Sequence, residues 1–159
     1  SCTDVTGFGL LGHLGEMLQA SSQSLQVVLD GSAIPALPGA LKLLKANHSS
    51  SLAPANRRAW SLLDPTQGKP AKVILARASS GCTPEDHQAM LELLVDPQTC
   101  GPLMLSCSGA MADALLQAND TEWHRIGVVS ASRADSACAS AAIQPLDLDL
   151  AASPGPADL

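Results

Sequence analysis

The sequence predicts an α+β fold of layered α/β type, a mixed sheet with helices packed on it. Three observations predict it. Apolar residues at helical spacing interleave with short runs of strand type, but irregularly, and two strand runs are adjacent near the end. Apolar residues make up 46% of the 159, enough for one core and marginal for two. Aromatics make up only 2%, namely Phe8, Trp60 and Trp123, so small and branched aliphatics must fill that core.

The first helix runs from about Gly7 to Gln19, because Phe8, Leu11, Leu14 and Leu18 share one stripe. Gly9, Gly12 and Gly15 fall on a neighbouring strip. Each costs a helix interior about 1 kcal/mol relative to alanine, so a second backbone or a ligand is expected to pack close there. Ser24 to Leu29 reads as a strand through Leu25, Val27 and Leu29, and Asp30-Gly31 as its turn. Pro38 or Gly39 opens a short helix through Leu41, Leu44 and Lys45, with Asn47 as its C-cap. Residues 48 to 58 are polar and proline-containing, and read as a loop entering a helix around Trp60 to Leu63.

Lys72 to Ala76 is the next strand, and Ala78 to Cys82 a turn. Thr83-Pro84-Glu85-Asp86 is a helix start, with Thr83 as cap, Pro84 at the first position and acids in the first turn. That helix turns Met90, Leu93 and Leu94 to the core and stops before Pro97, where Asp96-Pro97-Gln98-Thr99 bends. A strand from Leu103 to Cys107, a helix from Gly109 to Ala118, a strand from Trp123 to Val129 and an alanine-rich strand from Ala137 to Ile143 follow. The domain is expected to span residues 1–145, and residues 146–159 to be a tail or linker.

The formal net charge of −6 and the scarcity of aromatics argue against nucleic acid as partner. No run approaches the roughly 18 apolar residues of a membrane span, and nothing at the start reads as a signal peptide. Five cysteines without a Cys-x-x-Cys pair make a poor disulfide framework and a poor zinc site, so a cytoplasmic setting is the expectation.

Asp4 is the candidate functional residue. It stands before the first helix, where Asp4 or Thr6 suits an N-cap. It also suits a cation, since Mg²⁺ takes oxygen ligands and usually only one or two protein carboxylates. Free N–H groups at a helix N-terminus suit the phosphate oxygens that travel with the metal.

Thr3-Asp4-Val5-Thr6-Gly7-Phe8-Gly9-Leu10-Leu11-Gly12-His13-Leu14 resembles the opening of the C-terminal domain of the selenophosphate synthetase (selenide, water dikinase) family. Leu91-Glu92-Leu93-Leu94-Val95-Asp96-Pro97-Gln98-Thr99-Cys100-Gly101 resembles that family's Asp-Pro-Gln-Thr-Ser-Gly-Gly segment. The resemblance covers roughly residues 2 to 145. The wider superfamily includes aminoimidazole ribonucleotide synthetase, thiamine-monophosphate kinase and a hydrogenase maturation factor. The resemblance implies the C-terminal domain fold of that superfamily, Asp4 as a Mg²⁺ ligand, ATP and selenide as partners through an N-terminal domain, and a homodimer.

It also implies that the nucleophilic Cys or selenocysteine, its Lys, the glycine-rich loop and most metal-binding aspartates lie in that N-terminal domain. None of those motifs is in this sequence, nor is a Gly-x-x-x-x-Gly-Lys loop. The chain alone is therefore expected to be inactive. Two alternatives stand beside this reading. One is a non-catalytic scaffold or regulatory module, and the other a synthetase or kinase of the same superfamily with a different substrate.

Cys2 precedes a helix, but the Asp4 carboxylate beside it disfavours a thiolate nucleophile. Cys100 and Pro102 depart from the family's serine and second glycine, and Cys100 is expected to be a buried thiol. His13 is expected to be a satisfied, partly buried histidine, and His48, His87 and His124 show no ligand spacing. Asp96 is expected to stabilise its own bend. Asn56-Arg57-Arg58 echoes a family Arg-Asn or Asn-Arg pair. Either it is solvated, or Arg57 or Arg58 faces the phosphates.

Overall fold

The computed structural model describes residues 1–61, 72–76, 83–118, 122–131 and 145–146. The expected turn at 78–82, the alanine-rich strand at 137–143 and residues 147–159 of the expected tail lie outside the described residues. The architecture is α+β, with two small sheets and a layer of helices.

The chain opens with β1 (Cys2–Asp4) and continues into α1 (Gly9–Ala20) and β2 (Leu25–Asp30). A single 3₁₀ turn, Gly31–Ala33, ends β2. There Asp30 Oδ1 accepts from the Ser32 backbone N–H at 3.0 Å and from its hydroxyl at 2.6 Å. Those bonds hold the Asp30 carboxyl below its usual range. Then come α2 (Ala40–Lys45), α3 (Ala53–Ser61), β3 (Lys72–Ala76), α4 (Pro84–Val95), β4 (Leu103–Leu105), α5 (Gly109–Gln117), β5 (Gly127–Ala131) and β6 (Pro145–Leu146).

The larger sheet has the order β5-β2-β3-β6 and is mixed. β2 and β3 run parallel, with Val27 opposite Val73, which requires the crossover that α2 and α3 supply. β5 and β6 are antiparallel to their neighbours. The alternation of Leu25, Val27 and Leu29 sends Val27 and Leu29 into the core. They meet Leu11, Leu14 and Leu18 of α1, Leu94 and Val95 of α4, Ala53 of α3 and Leu75 of β3. Full burial of an aliphatic side chain of this size contributes about 1.5–3 kcal/mol. α4 is the centre of the helical layer and touches α1, α2 and α3.

Two helix ends are as the residues predict. Asn47 takes a φ of 60°, its N–H bonds to the Leu44 carbonyl at 3.0 Å, and the His48 N–H bonds to Leu43 at 2.9 Å. This paired closure satisfies carbonyls that the end of α2 would otherwise leave free. Thr83 caps α4 reciprocally. Its hydroxyl accepts from the Asp86 N–H, and Asp86 Oδ2 accepts from the Thr83 N–H at 3.0 Å. Lys45 reaches across from α2 to pair with Asp86.

Lys45, then the Thr83 backbone and hydroxyl, draw the Asp86 carboxyl from its ordinary 3.8 down to about 2. A depressed carboxylate contributes stability that is present above its unfolded value and is lost as pH falls through its folded value. Asp86→Asn is therefore expected to be less stable than the native chain near neutrality. Urea titrations at stepped pH should show that gap closing between about pH 4 and about pH 2. The pair is partly exposed, so added salt should narrow the gap as well.

Four expectations are corrected. Asp4 and Thr6 do not cap α1: its N-cap is Phe8, with no side-chain bond. Residues 2–4 are drawn instead into an antiparallel ribbon with β4, Asp4 opposite Leu103 and Cys2 opposite Leu105. Residues 53–58 are not loop. α3 begins at Ala53, because Pro54 in a first turn loses no needed N–H and the Ala53 side chain is buried. On α4, Leu94 is buried and Met90 packs against the core as expected, but Leu93 is only half-buried, and Ala89, Glu92 and Val95 are the further buried positions. Cys100 is an exposed free thiol rather than a buried one, because its neighbour Gly101 takes the inward position in the bend.

Candidate metal-binding face

The two sequence blocks that stand about ninety residues apart meet in space. The Val5 N–H donates to the Pro102 carbonyl at 2.9 Å, and the Gln98 N–H donates to the Thr6 carbonyl at 3.1 Å. Pro102 thus serves through its carbonyl, and its missing N–H takes nothing from this contact. Gln98 Nε2 also donates to Asp96 Oδ2 at 3.1 Å, so Asp96 is engaged in its own bend.

Directly opposite residues of an antiparallel pair share a face. The inward face of the ribbon holds Thr3 and the buried Met104. The outward face holds Cys2, Asp4, Leu103 and Leu105, all exposed, with Leu103 at 59%. The Asp4 carboxylate makes no hydrogen bond or ion pair with any described residue. Its oxygens are available to a cation. Among the described residues no three His, Cys, Asp or Glu side chains gather into a ligand set.

Behind the ribbon, polar side chains hold the loop 5–8. His13 is satisfied, as expected, and is more fully buried than expected. Its Nδ1 lies 3.0 Å from Glu16 Oε2 and its Nε2 lies 3.0 Å from the Thr6 hydroxyl. A carboxylate only accepts, so Nδ1 carries the proton, and in the neutral ring Nε2 accepts from Thr6. The buried Asn56 amide donates to the Gly7 carbonyl and to the Val95 carbonyl, both at 2.9 Å. Arg57 pairs with the buried Glu92 of α4, which also accepts from Gln88 Nε2 at 3.0 Å. Arg57 is therefore spent within the domain, not turned to phosphate. Gly9, at a φ of 69°, lets the last turn of α4 approach closely, since a Cβ there would stand 2.8 Å from the Val95 carbonyl carbon. At Gly9 the close neighbour that the glycine strip called for is thus a helix backbone, whereas at Gly12 it is the Phe8 side chain.

Sequence reasoning placed His13 as a satisfied histidine but missed Asn56 and Glu92 as structural anchors. One signal was available: Glu92 interrupts the apolar run from Leu91 to Val95, where a charge must either face water or find a partner.

The family model described as the C-terminal domain of AIR synthase related proteins matches residues 1–137. The chain belongs to this family. Similar proteins include the selenide, water dikinase of Nitratidesulfovibrio vulgaris strain DP4, 33% identical over 132 residues, which are 81% of this chain and 32% of that protein. Selenide, water dikinase of Agathobacter rectalis is 34% identical over 116 residues, 73% of this chain and 28% of that protein. That of Rhizobium meliloti is 38% identical over 116 residues, 72% of this chain and 28% of that protein. The AIR synthase-related domain thus spans about a third of the length of the relatives it matches. Among its described residues no helix is long and apolar enough to cross a membrane.

Proposed function

We propose that this domain is the C-terminal part of a selenide, water dikinase, whose whole molecule makes selenophosphate, phosphate and AMP from ATP, selenide and water. The exposed, unpartnered Asp4 carboxylate on the outward ribbon face carries the proposal, together with relatives of that name. A single outward carboxylate fits Mg²⁺, which takes few protein oxygens and completes its shell with phosphates and water. The metal, when bound, neutralises charge on the phosphate oxygens.

Asp4 contributes one oxygen ligand, and the other carboxylates come from the companion N-terminal domain. That is why the chain alone forms no AMP. The leucines beside Asp4 give the face the apolar character of a surface that the companion domain covers. The parent works as a cytoplasmic homodimer and binds neither nucleic acid nor membrane. The exposed free thiols of Cys2, Cys100 and Cys107 suit a reducing compartment.

The test is Asp4→Asn in the intact parent. AMP formation should fall on the order of 100-fold. The melting temperature should not fall, because the carboxylate has no partner within the described chain to lose. Unchanged activity, or a loss matched by unfolding, overturns the assignment.

A further inference from the structure

We infer that Asn56 is a positioning residue for the Asp4 carboxylate, tying together the roots of the two strands that present it. The inference rests on the reading of Asp4 as a metal ligand. β1 and β4 form a ribbon of three paired residues, joined to the body by two limbs. One limb is the loop from Val5 to Phe8 that leads into α1. The other is the bend from Asp96 to Pro102 that leaves α4.

Asn56 belongs to neither limb, yet its amide nitrogen donates to Gly7 in the first and to Val95 at the base of the second. Both N–H bonds of one planar amide are thereby used, so the spacing of the two carbonyls is fixed by a single rigid group. Beyond that clamp the limbs are joined backbone to backbone, Gln98 to Thr6 and Val5 to Pro102. The ribbon follows directly. Asp4 stands three residues from Gly7 and one from Val5, so a change in limb spacing reaches its carboxylate with little chain in between.

The donor itself is held. Asn56 is 7% exposed, and the next residue, Arg57, pairs with Glu92 one turn before Val95 on the same helix. This fixes the rotation of α3 on α4 and aims the amide. An aspartate at position 56 keeps the shape but sets an acceptor against two carbonyls. A serine keeps a single donor. Residues that hold a metal ligand in place affect metal affinity by 10–100-fold when lost, without touching the metal.

The test titrates the intact parent with Mn²⁺ as probe, read by the free-ion electron paramagnetic resonance signal, for Asp4→Asn, Asn56→Asp, Asn56→Ser and Leu44→Ala. Leu44 is buried on α2, which packs on α4, and its truncation supplies a loss of stability that touches neither limb directly. Asn56→Asp should weaken Mn²⁺ binding about 10-fold, Asn56→Ser by less, and Leu44→Ala not at all. If Asn56→Asp does not fold, Asn56→Ser carries the comparison. An Asn56 effect no larger than that of Leu44→Ala overturns the positioning role while Asp4→Asn still abolishes the site. If Asp4→Asn leaves Mn²⁺ binding intact, the metal-ligand reading itself fails and takes this role with it.

Discussion

Gly101→Ala is expected to destabilise the domain by about 3 kcal/mol, whether the clash is borne or the limbs part to relieve it. A Cβ at position 101 would stand 1.7 Å from the Val5 carbonyl oxygen, 2.8 Å from its carbon and 3.1 Å from the Gln98 Cβ. The first two are backbone atoms, so no rotamer change relieves them. Overpacking of this kind costs about 1–3 kcal/mol even where side chains can shift. Relief requires the limbs to part, which lengthens Val5 N–H to Pro102 and Gln98 N–H to Thr6, each worth about 1 kcal/mol. For a chain of this size that corresponds to a drop of roughly 10 °C in melting temperature. Gly109→Ala is the matched control, because nothing stands within 4 Å of its Cβ position at the start of α5. It should be neutral or slightly stabilising. Denaturant titration of both decides. A Gly101→Ala chain as stable as Gly109→Ala would mean that the two limbs are not in contact.

The same contact explains which parts of the fold were legible in the sequence. α1, α4 and β2 were, because each writes its period over several residues: Leu11, Leu14 and Leu18, or Leu25, Val27 and Leu29. The Thr83 cap and the left-handed Asn47 were legible because their signals are local. β1 was not. Three residues carry no period, and their partner, Leu103 to Leu105, lies about a hundred residues on, so nothing near Cys2 announces a strand. The helical reading pushed Asp4 toward a cap for the same reason.

α3 was hidden by Pro54 and by serines that read as loop. Its stability comes from the tertiary contacts of Ala53, Asn56 and Arg57, which local propensity does not contain. Of the candidate site, the block around Asp4 singles out that residue as the candidate. Its exposure, and the apolar company of Leu103, depend on a pairing that the sequence does not display.

Arg57→Met is expected to cost about 3 kcal/mol, although Arg57 stands behind the ribbon and not on its outward face. Glu92 is 5% exposed, and with Arg57 removed its carboxylate keeps, among the described residues, only the Gln88 amide on Oε1, while Oε2 already has no partner among them. Removing one member of a buried pair leaves an uncompensated charge and costs about 3–5 kcal/mol, and the partial exposure of Arg57 places this pair at the lower end.

Two further measurements separate charge from packing. Arg57→Met combined with Glu92→Leu removes both charges while keeping apolar volume, and should recover most of the loss. The loss should also depend on pH with a definite sign. An orphaned buried carboxyl holds its proton more tightly folded than unfolded, so stability falls as pH rises above the unfolded carboxyl range. The deficit of Arg57→Met relative to the native chain should therefore be smaller at pH 5 than at pH 8. A deficit independent of pH, with no recovery in the double variant, would show that Arg57 acts through the packing of its methylenes against α4 rather than through its charge.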